Sequence, residues 1–218
     1  MAYLIDLFLH LDVHLAEFVV QYGVLVYAGL FAVIFAETGL VVTPFLPGDS
    51  LLFAAGALAA TGAMDLTLVL VLIASAAIIG NAVNYAIGRA VGPRVFTAAD
   101  TATGWQRKLL NRQHLDRAHG FFEKHGAIAV ISSRFAPIIR TFVPFVAGAA
   151  AMSASKFLLY NVVGAVLWTA ICVGAGYAFG QVPVIKNNFS LVALGIVAVS
   201  LLPMIITMIK ARKSPDHI

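Results

Sequence analysis

A chain of 218 residues with 61% hydrophobic and only 11% charged side chains and a mean hydropathy of +0.95 is not a soluble domain, where charged residues make up about a quarter. Lipid is the expected solvent: the length allows one bundle of about five to seven segments of about 20 apolar residues each and leaves nothing for a separate catalytic domain. The net charge of +4 does not point to nucleic acid, because the basic residues lie beside apolar segments, where membrane orientation and anionic headgroups account for them.

From Ala2 to Gln21, Leu4, Leu7, Phe8, Leu11, Leu15 and Phe18 share one helical face, while Asp6, His10, His14, Glu17 and Gln21 share the other, the pattern of an interfacial helix. No Lys or Arg precedes Arg89, so a cleaved signal peptide is not expected. Val24 to Val42 is apolar apart from Glu37, Thr38 and Gly39, after which Pro44, Pro47 and Gly48 forbid a straight continuation. Leu51 to Ala60 resumes the apolar run too briefly to span, and Leu66 to Gly88 is a full-length span. The stretch from Arg89 to Lys124 collects Arg89, Arg94, Arg107, Lys108, Arg112, Arg117 and Lys124, and is the expected cytoplasmic loop. Within it Trp105, Leu109, Leu115, Ala118 and Phe122 recur at helical spacing, predicting an amphipathic helix on the inner leaflet. Ala127 to Met152 is apolar yet holds Arg134, Pro137, Arg140 and Pro144; Phe157–Phe179 and Phe189–Ile209 read as ordinary spans, and Lys210, Arg212 and Lys213 open the tail.

Parity constrains the topology. With both the 89–124 loop and the tail cytoplasmic, an even number of crossings must separate them, yet three apolar segments lie between. One must enter and leave by the same face, and the proline-broken segment containing Pro137 and Pro144 is the candidate; non-helical backbone at that depth survives only inside protein or beside a water-filled cavity. An internal echo points the same way: Phe53-Ala-Ala-Gly56 returns as Phe145-Val-Ala-Gly148 and Tyr85-Ala-Ile-Gly88 as Tyr177-Ala-Phe-Gly180, predicting two halves at one fixed offset, inverted in the membrane as in many transporters.

Four residues stand out as chemistry-bearing. Glu37 and Asp49 form an acidic pair that the Pro44–Gly48 turn can fold together, and low dielectric disfavours a charged carboxylate, which suits groups that bind and release a proton. Asp49 also fits a plainer role as a helix N-cap. Arg134 and Arg140 form a basic pair whose planar forks suit phosphate or carboxylate; their plainer role is to neutralise the carboxylates. Asn81, Asn84, Tyr85, Asn161 and Trp168 read first as interhelical packing and second as lining of a path. His10 and His14 are explained by a polar helix face, and His114, His119 and His125 lack ligand spacing, so no metal is expected. Ser132-Ser133-Arg134 lacks a following histidine in its segment, which argues against hydrolysis, and no cofactor or enzyme activity is expected. Cys172, the only cysteine, reads as a packed core thiol.

Taken together, Glu37-Thr38-Gly39, Pro44-Phe-Leu-Pro47-Gly48-Asp49-Ser50, Gly80-Asn81-x₃-Tyr85-x₂-Gly88-Arg89-x₂-Gly92, Arg134-Phe-x-Pro137-x₂-Arg140-x₃-Pro144-x₃-Gly148 and Asn161-x₂-Gly164-x₃-Trp168 resemble the DedA family of bacterial inner-membrane proteins over nearly the whole chain. The resemblance implies two re-entrant hairpins facing each other, and a part in returning undecaprenyl phosphate from the outer to the inner leaflet at the expense of the proton-motive force. It matches the family's acidic pair to Glu37 and Asp49 and its arginine pair to Arg134 and Arg140.

The expectation is therefore a single all-α polytopic membrane domain in the bacterial inner membrane with a cytoplasmic C-terminus. Residues 1–92 form the N-terminal half with a re-entrant segment at 37–62, and 93–126 form the cytoplasmic amphipathic loop. Residues 127–209 form the C-terminal half with a re-entrant segment at 127–152, and 210–218 form the tail. Pro44, Pro47, Gly48, Pro137 and Pro144 are the expected hairpin breakers. The expected function is a flippase for prenyl-phosphate lipid, with Arg134 and Arg140 on the phosphate and Glu37 and Asp49 on the proton. The rivals are an energy-independent phospholipid scramblase and a structural or assembly factor without transport. Small-residue surfaces such as Gly174-x-Gly176 permit a homo-oligomer.

Overall fold

The computed structural model describes residues 17–19, 21–39, 48–99, 112–186, 192 and 195, and all regular structure among them is helical. The helices are α1 (Leu25–Gly39), α2 (Gly48–Ala60), α3 (Leu66–Ala99), α4 (Arg112–Ser133), α5 (Pro137–Ala149), α6 (Ala154–Phe179) and the single turn α7 (Pro183–Lys186). Among the described residues, two stretches are long and apolar enough to cross a bilayer, Leu66–Gly92 with 27 residues and Ala154–Phe179 with 26. The 15 residues of α1 and the 13 each of α2 and α5 make rods of about 20 Å, short of the ~30 Å hydrocarbon core.

The turns that end the short arms are written in backbone geometry. Gly62 is left-handed at φ +79, and its N–H bonds the Ala59 carbonyl while that of Ala63 bonds the Leu58 carbonyl, both 3.1–3.2 Å. This paired pattern is a Schellman cap. Asp65 Oδ1 then accepts from the Leu68 N–H at 2.7 Å and starts α3. The arm α5 ends in the same way: Ala151 is left-handed at φ 55, its N–H bonds the Gly148 carbonyl and that of Met152 the Ala147 carbonyl, each at 3.0 Å.

Each short arm lies along a long helix and runs in the same direction. α2 packs chiefly on α6 and α5 chiefly on α3, and in both pairs glycine allows the backbones to touch. A Cβ on Gly176 would fall on the Phe53 carbonyl, and one on Gly180 on Ala57; a Cβ on Gly88 would fall on the Phe145 carbonyl, and one on Gly92 on Ala149. Phe53 matches Phe145 and Ala57 matches Ala149, as the echo in the sequence predicts. The long helices, however, correspond one turn away from that echo: Gly176 does for α2 what Gly88 does for α5. Glycines spaced four apart on both helices make a one-turn slip invisible in sequence, and backbone contact decides the register.

The core is divided in two. Val26, Leu30, Ile34, Leu52, Val69, Ile73 and Val173 belong to one apolar cluster, and Phe122, Val130, Ala147, Met152 and Phe157 to another. Buried Glu37, Thr38, Asn81, Asn84, Arg134, Arg140, Thr141 and Asn161 come from the parts of the chain that lie between these clusters.

Three expectations need correction. Pro144 does not break the second hairpin: it lies inside α5, where it withholds the donor that would bond the Arg140 carbonyl one turn back. The break falls at residues 134–136, and Pro137 opens α5 at a position that needs no N–H donor. Helices also cross both expected boundaries of the central loop, since α3 continues to Ala99 and α4 runs unbroken from Arg112 to Ser133. Pro44 and Pro47, nearly all of the N-terminal interfacial helix, Trp105 and Leu109, nearly all of the 189–209 span and the tail lie outside the described residues.

Candidate functional site

The end of α1 and the starts of α2 and α5 meet through Arg140. Glu37 sits near the end of α1, Asp49 in the first turn of α2, and Arg140 in the first turn of α5. Arg140 Nη2 donates to Glu37 Oε1, and Nη1 donates to Asp49 Oδ1 at 3.0 Å. The same Asp49 oxygen accepts from Trp168 Nε1 of α6 at 3.0 Å, and the guanidinium carbon lies 5.1 Å from the centre of the Trp168 ring, within cation–π range. Asp49 lies within the first turn of α2, one residue past its start, and its carboxylate serves Arg140 and Trp168. A buried ion pair holds only when both charges are paired and hydrogen-bonded, and here one fork serves two carboxylates. Gly48 abuts the Glu37 carboxylate so closely that a Cβ there would overlap it, which is why a residue without a side chain precedes Asp49.

Arg134 behaves differently. It is as buried as Arg140, but among the described residues it has no carboxylate partner. Its Nη2 donates to Asn161 Oδ1 at 2.6 Å and more weakly to the Asn161 and Ala77 carbonyls at 3.3 and 3.4 Å. Its Nε and Nη1 have no partner. The side chain lies across Gly164, whose absent Cβ would approach Arg134 Cδ at 3.1 Å. Unpartnered donors on a buried guanidinium are costly, because burial takes the cation out of bulk solvent and no carboxylate among the described residues neutralises it.

The amides organise this layer. Asn161 Nδ2 donates to the Ile78 carbonyl at 2.9 Å, which ties α6 to α3. Turned with its nitrogen toward α1, the Asn81 amide donates to the Thr38 carbonyl at 3.2 Å and accepts from Arg134 Nη2 at 3.0 Å; the network decides such amide orientations. Asn84 Nδ2 donates to the Thr141 carbonyl at 2.7 Å and toward the Thr38 carbonyl at 3.4 Å. Of the five residues expected to pack or to line a path, Asn81, Asn84, Asn161 and Trp168 belong to this layer. Tyr85 does not: its hydroxyl donates to the Met152 carbonyl, its ring stacks on Phe157 at 4.3 Å, and Arg89 Nη1 donates to the hydroxyl at 2.9 Å.

Thr38 and Thr141, next in sequence to Glu37 and Arg140, were not singled out from the sequence. Their carbonyls take the Asn84 amide, and the Thr38 hydroxyl back-bonds to the Ile34 carbonyl at 2.8 Å. The available signal was adjacency, a threonine directly after Glu37 and another directly after Arg140. Cys172 is partly buried on α6, one turn beyond Trp168, as its apolar surroundings led one to expect.

Residues 46–178 match the VTT domain family. The chain is 51% identical over 214 residues to Protein DedA of Escherichia coli strain K12, covering 97% of this chain and 95% of that protein. It is 40% identical over 174 residues to an uncharacterized membrane protein of Mycobacterium leprae, covering 80% and 75%. It is 36% identical over 163 residues to the inner membrane protein YghB of Escherichia coli strain K12, covering 75% and 72%. No solved structure is matched.

Proposed function

This chain belongs to the DedA family of membrane proteins, and on that premise we propose that it carries a phosphate-headed lipid across the membrane, with undecaprenyl phosphate as the substrate and protons as the coupling ion. In this reading α1–α2 and α4–α5 are re-entrant hairpins that enter from opposite faces and touch near the midplane, and the two halves form an inverted repeat. The lengths of α1, α2 and α5 support it, since helices of about 20 Å pass the middle of a ~30 Å hydrocarbon core without crossing it. The equivalent glycine contacts of α2 with α6 and of α5 with α3 support it too. The end bearing Arg89, Lys124 and Lys156 faces the cytoplasm by the positive-inside rule, as does the basic C-terminal tail.

The observation that carries the reading is the unequal state of the two arginines. Arg140 is neutralised by Glu37 and Asp49 and leaves only its Nε without a partner, whereas Arg134 has no carboxylate among the described residues and leaves both Nε and Nη1 without one. A phosphate headgroup supplies the acceptors that Arg134 lacks, while the prenyl chain stays in the surrounding lipid. Arg140 becomes available to the same headgroup only when its carboxylates give up their charge. Protonation of the carboxylates and binding of the anion are thereby linked.

The test is transport of a defined prenyl phosphate in vesicles containing the purified protein, with and without an imposed pH gradient. Gradient-dependent movement that Arg134→Gln abolishes, with protein abundance unchanged, is expected. Gradient-blind movement of many phospholipids would replace this reading with a scramblase. Absence of any movement, in protein that remains folded, would leave a structural or assembly role.

A further inference from the structure

We propose that Asn161 is a positioning residue for anion binding: its neutral amide oxygen fixes the Arg134 guanidinium without neutralising it, so that the cation stays available to a phosphate headgroup. The proposal deepens the transport reading above and rests on its assignment of the headgroup to Arg134.

One face of α6 serves both arginines. Asn161, Gly164 and Trp168 follow one another at three- and four-residue spacing on that helix and so share a face. Trp168 donates its indole N–H to Asp49, a partner of Arg140. Gly164 leaves room for the Arg134 stem: a Cβ there would stand 3.1 Å from Cδ and 3.2 Å from Nε. Asn161 meets the head of the same side chain, its Oδ1 accepting from Nη2 at 2.6 Å.

The amide is held so that its oxygen faces Arg134. Its Nδ2 donates to the Ile78 carbonyl at 2.9 Å, and a carbonyl has no proton to give in return, so the oxygen end is turned toward the guanidinium. The remaining acceptors around Nη2 are neutral as well: the Asn81 amide oxygen, turned toward Arg134, at 3.0 Å, and the Asn161 and Ala77 carbonyls at 3.3 and 3.4 Å. Asn161, Asn81 and Arg134 are all buried. One nitrogen of the guanidinium is thus anchored by dipoles alone, while among the described residues no group accepts from Nε or Nη1.

Aspartate has the shape of asparagine and is the usual company of a buried cation, but here it would change two things. It would offer no donor to the Ile78 carbonyl, and it would pair Arg134 as Glu37 and Asp49 pair Arg140. An anion approaching a paired arginine must displace a carboxylate; one approaching Arg134 displaces no charge. The amide supplies direction and leaves the positive charge uncompensated. A residue that merely tied α6 to α3 would need only the bond to Ile78.

The test measures binding of farnesyl phosphate and of inorganic phosphate to the full chain in detergent micelles by isothermal titration calorimetry, beside thermal unfolding of the same samples. N161D and N161A both remove the donor to Ile78, but only N161D adds a charge beside Arg134. N161D is expected to weaken binding by about tenfold or more, as R134Q does, yet to melt no lower than N161A. N161A, whose Arg134 stays unneutralised, is expected to bind more tightly than N161D. Affinity then does not follow stability, which a purely structural asparagine would require. Should N161D not fold, N81D puts a carboxylate on the same Nη2 and must give the same loss. Wild-type affinity in N161D, binding by N161A no tighter than by N161D, N161D melting below N161A, or intact binding by N81D where N161D cannot be measured would overturn the proposal. Tighter binding of farnesyl phosphate than of inorganic phosphate identifies a lipid headgroup as the anion; equal affinities with the same order across the variants keep the role of Asn161 and make free phosphate the anion. Wild-type protein that binds neither probe, or binding that R134Q leaves unchanged, refutes the headgroup assignment and this proposal with it. Binding that R134Q abolishes, with the wrong order among the Asn161 variants, overturns this proposal alone.

Discussion

Two glycines two residues apart on α6 should respond oppositely to the same added methyl group. A Cβ on Gly176 would lie 2.8 Å from the Phe53 carbonyl carbon and 3.0 Å from its Cα, and closer still to the oxygen, whereas Gly174 has nothing within 4 Å. The obstacle at Gly176 is backbone, so α2 and α6 must separate by at least about half an ångström to restore van der Waals contact, and overpacking of this kind costs about 1–3 kcal/mol. At Gly174 only the gain in helix propensity remains, about 0.8–1.0 kcal/mol in favour of alanine. Each kcal/mol moves the melting temperature of a chain of this size by about 2–4 °C. Thermal unfolding of the detergent-solubilised protein, followed by loss of the monodisperse peak, should therefore show G176A melting lower and G174A melting level or higher. Equal melting temperatures would refute backbone contact between α2 and α6 at Gly176, and with it the one-turn correction to the repeat. The parallel substitution G88A on α3 should repeat the G176A result, because Gly88 meets Phe145 in the same way.

Other consequences are independent of that contact. Gly48→Ala should displace the Glu37 carboxylate from its place beside Arg140, lowering prenyl-phosphate transport in vesicles while protein abundance stays near normal. Asn84→Leu leaves the Thr141 carbonyl without its 2.7 Å donor and should cost about 1–3 kcal/mol, read as a fall in melting temperature. Tyr85→Phe keeps the stacking on Phe157 but removes the hydroxyl that joins Met152 and Arg89; a loss of about 1 kcal/mol is expected, smaller than for Tyr85→Ala. Ala151→Gly relieves a left-handed alanine and should raise the melting temperature, by up to about 1 kcal/mol of stability.

Much of this protein was legible in its composition and local pattern. The cost of charge in lipid makes Glu37, Asp49, Arg134 and Arg140 conspicuous in apolar runs, and glycine and proline mark where helices must stop. Those are properties of a residue and its near neighbours, so hydropathy and spacing reveal them. The lengths of the short arms followed in the same way, apart from Pro144, whose missing donor the second turn of α5 tolerates.

Which charge meets which was decided only by the tertiary structure. Arg140 reaches carboxylates 103 and 91 positions away, and no local pattern distinguishes it from Arg134, which instead finds the Asn161 amide. The difference arises because α1 and α5 end against each other along α3, at a depth set by glycines that let backbones touch. The same contacts moved the correspondence of the long helices by one turn from the echo read in sequence. Chain order determined the parts and their solvent; close packing between distant segments determined the partners.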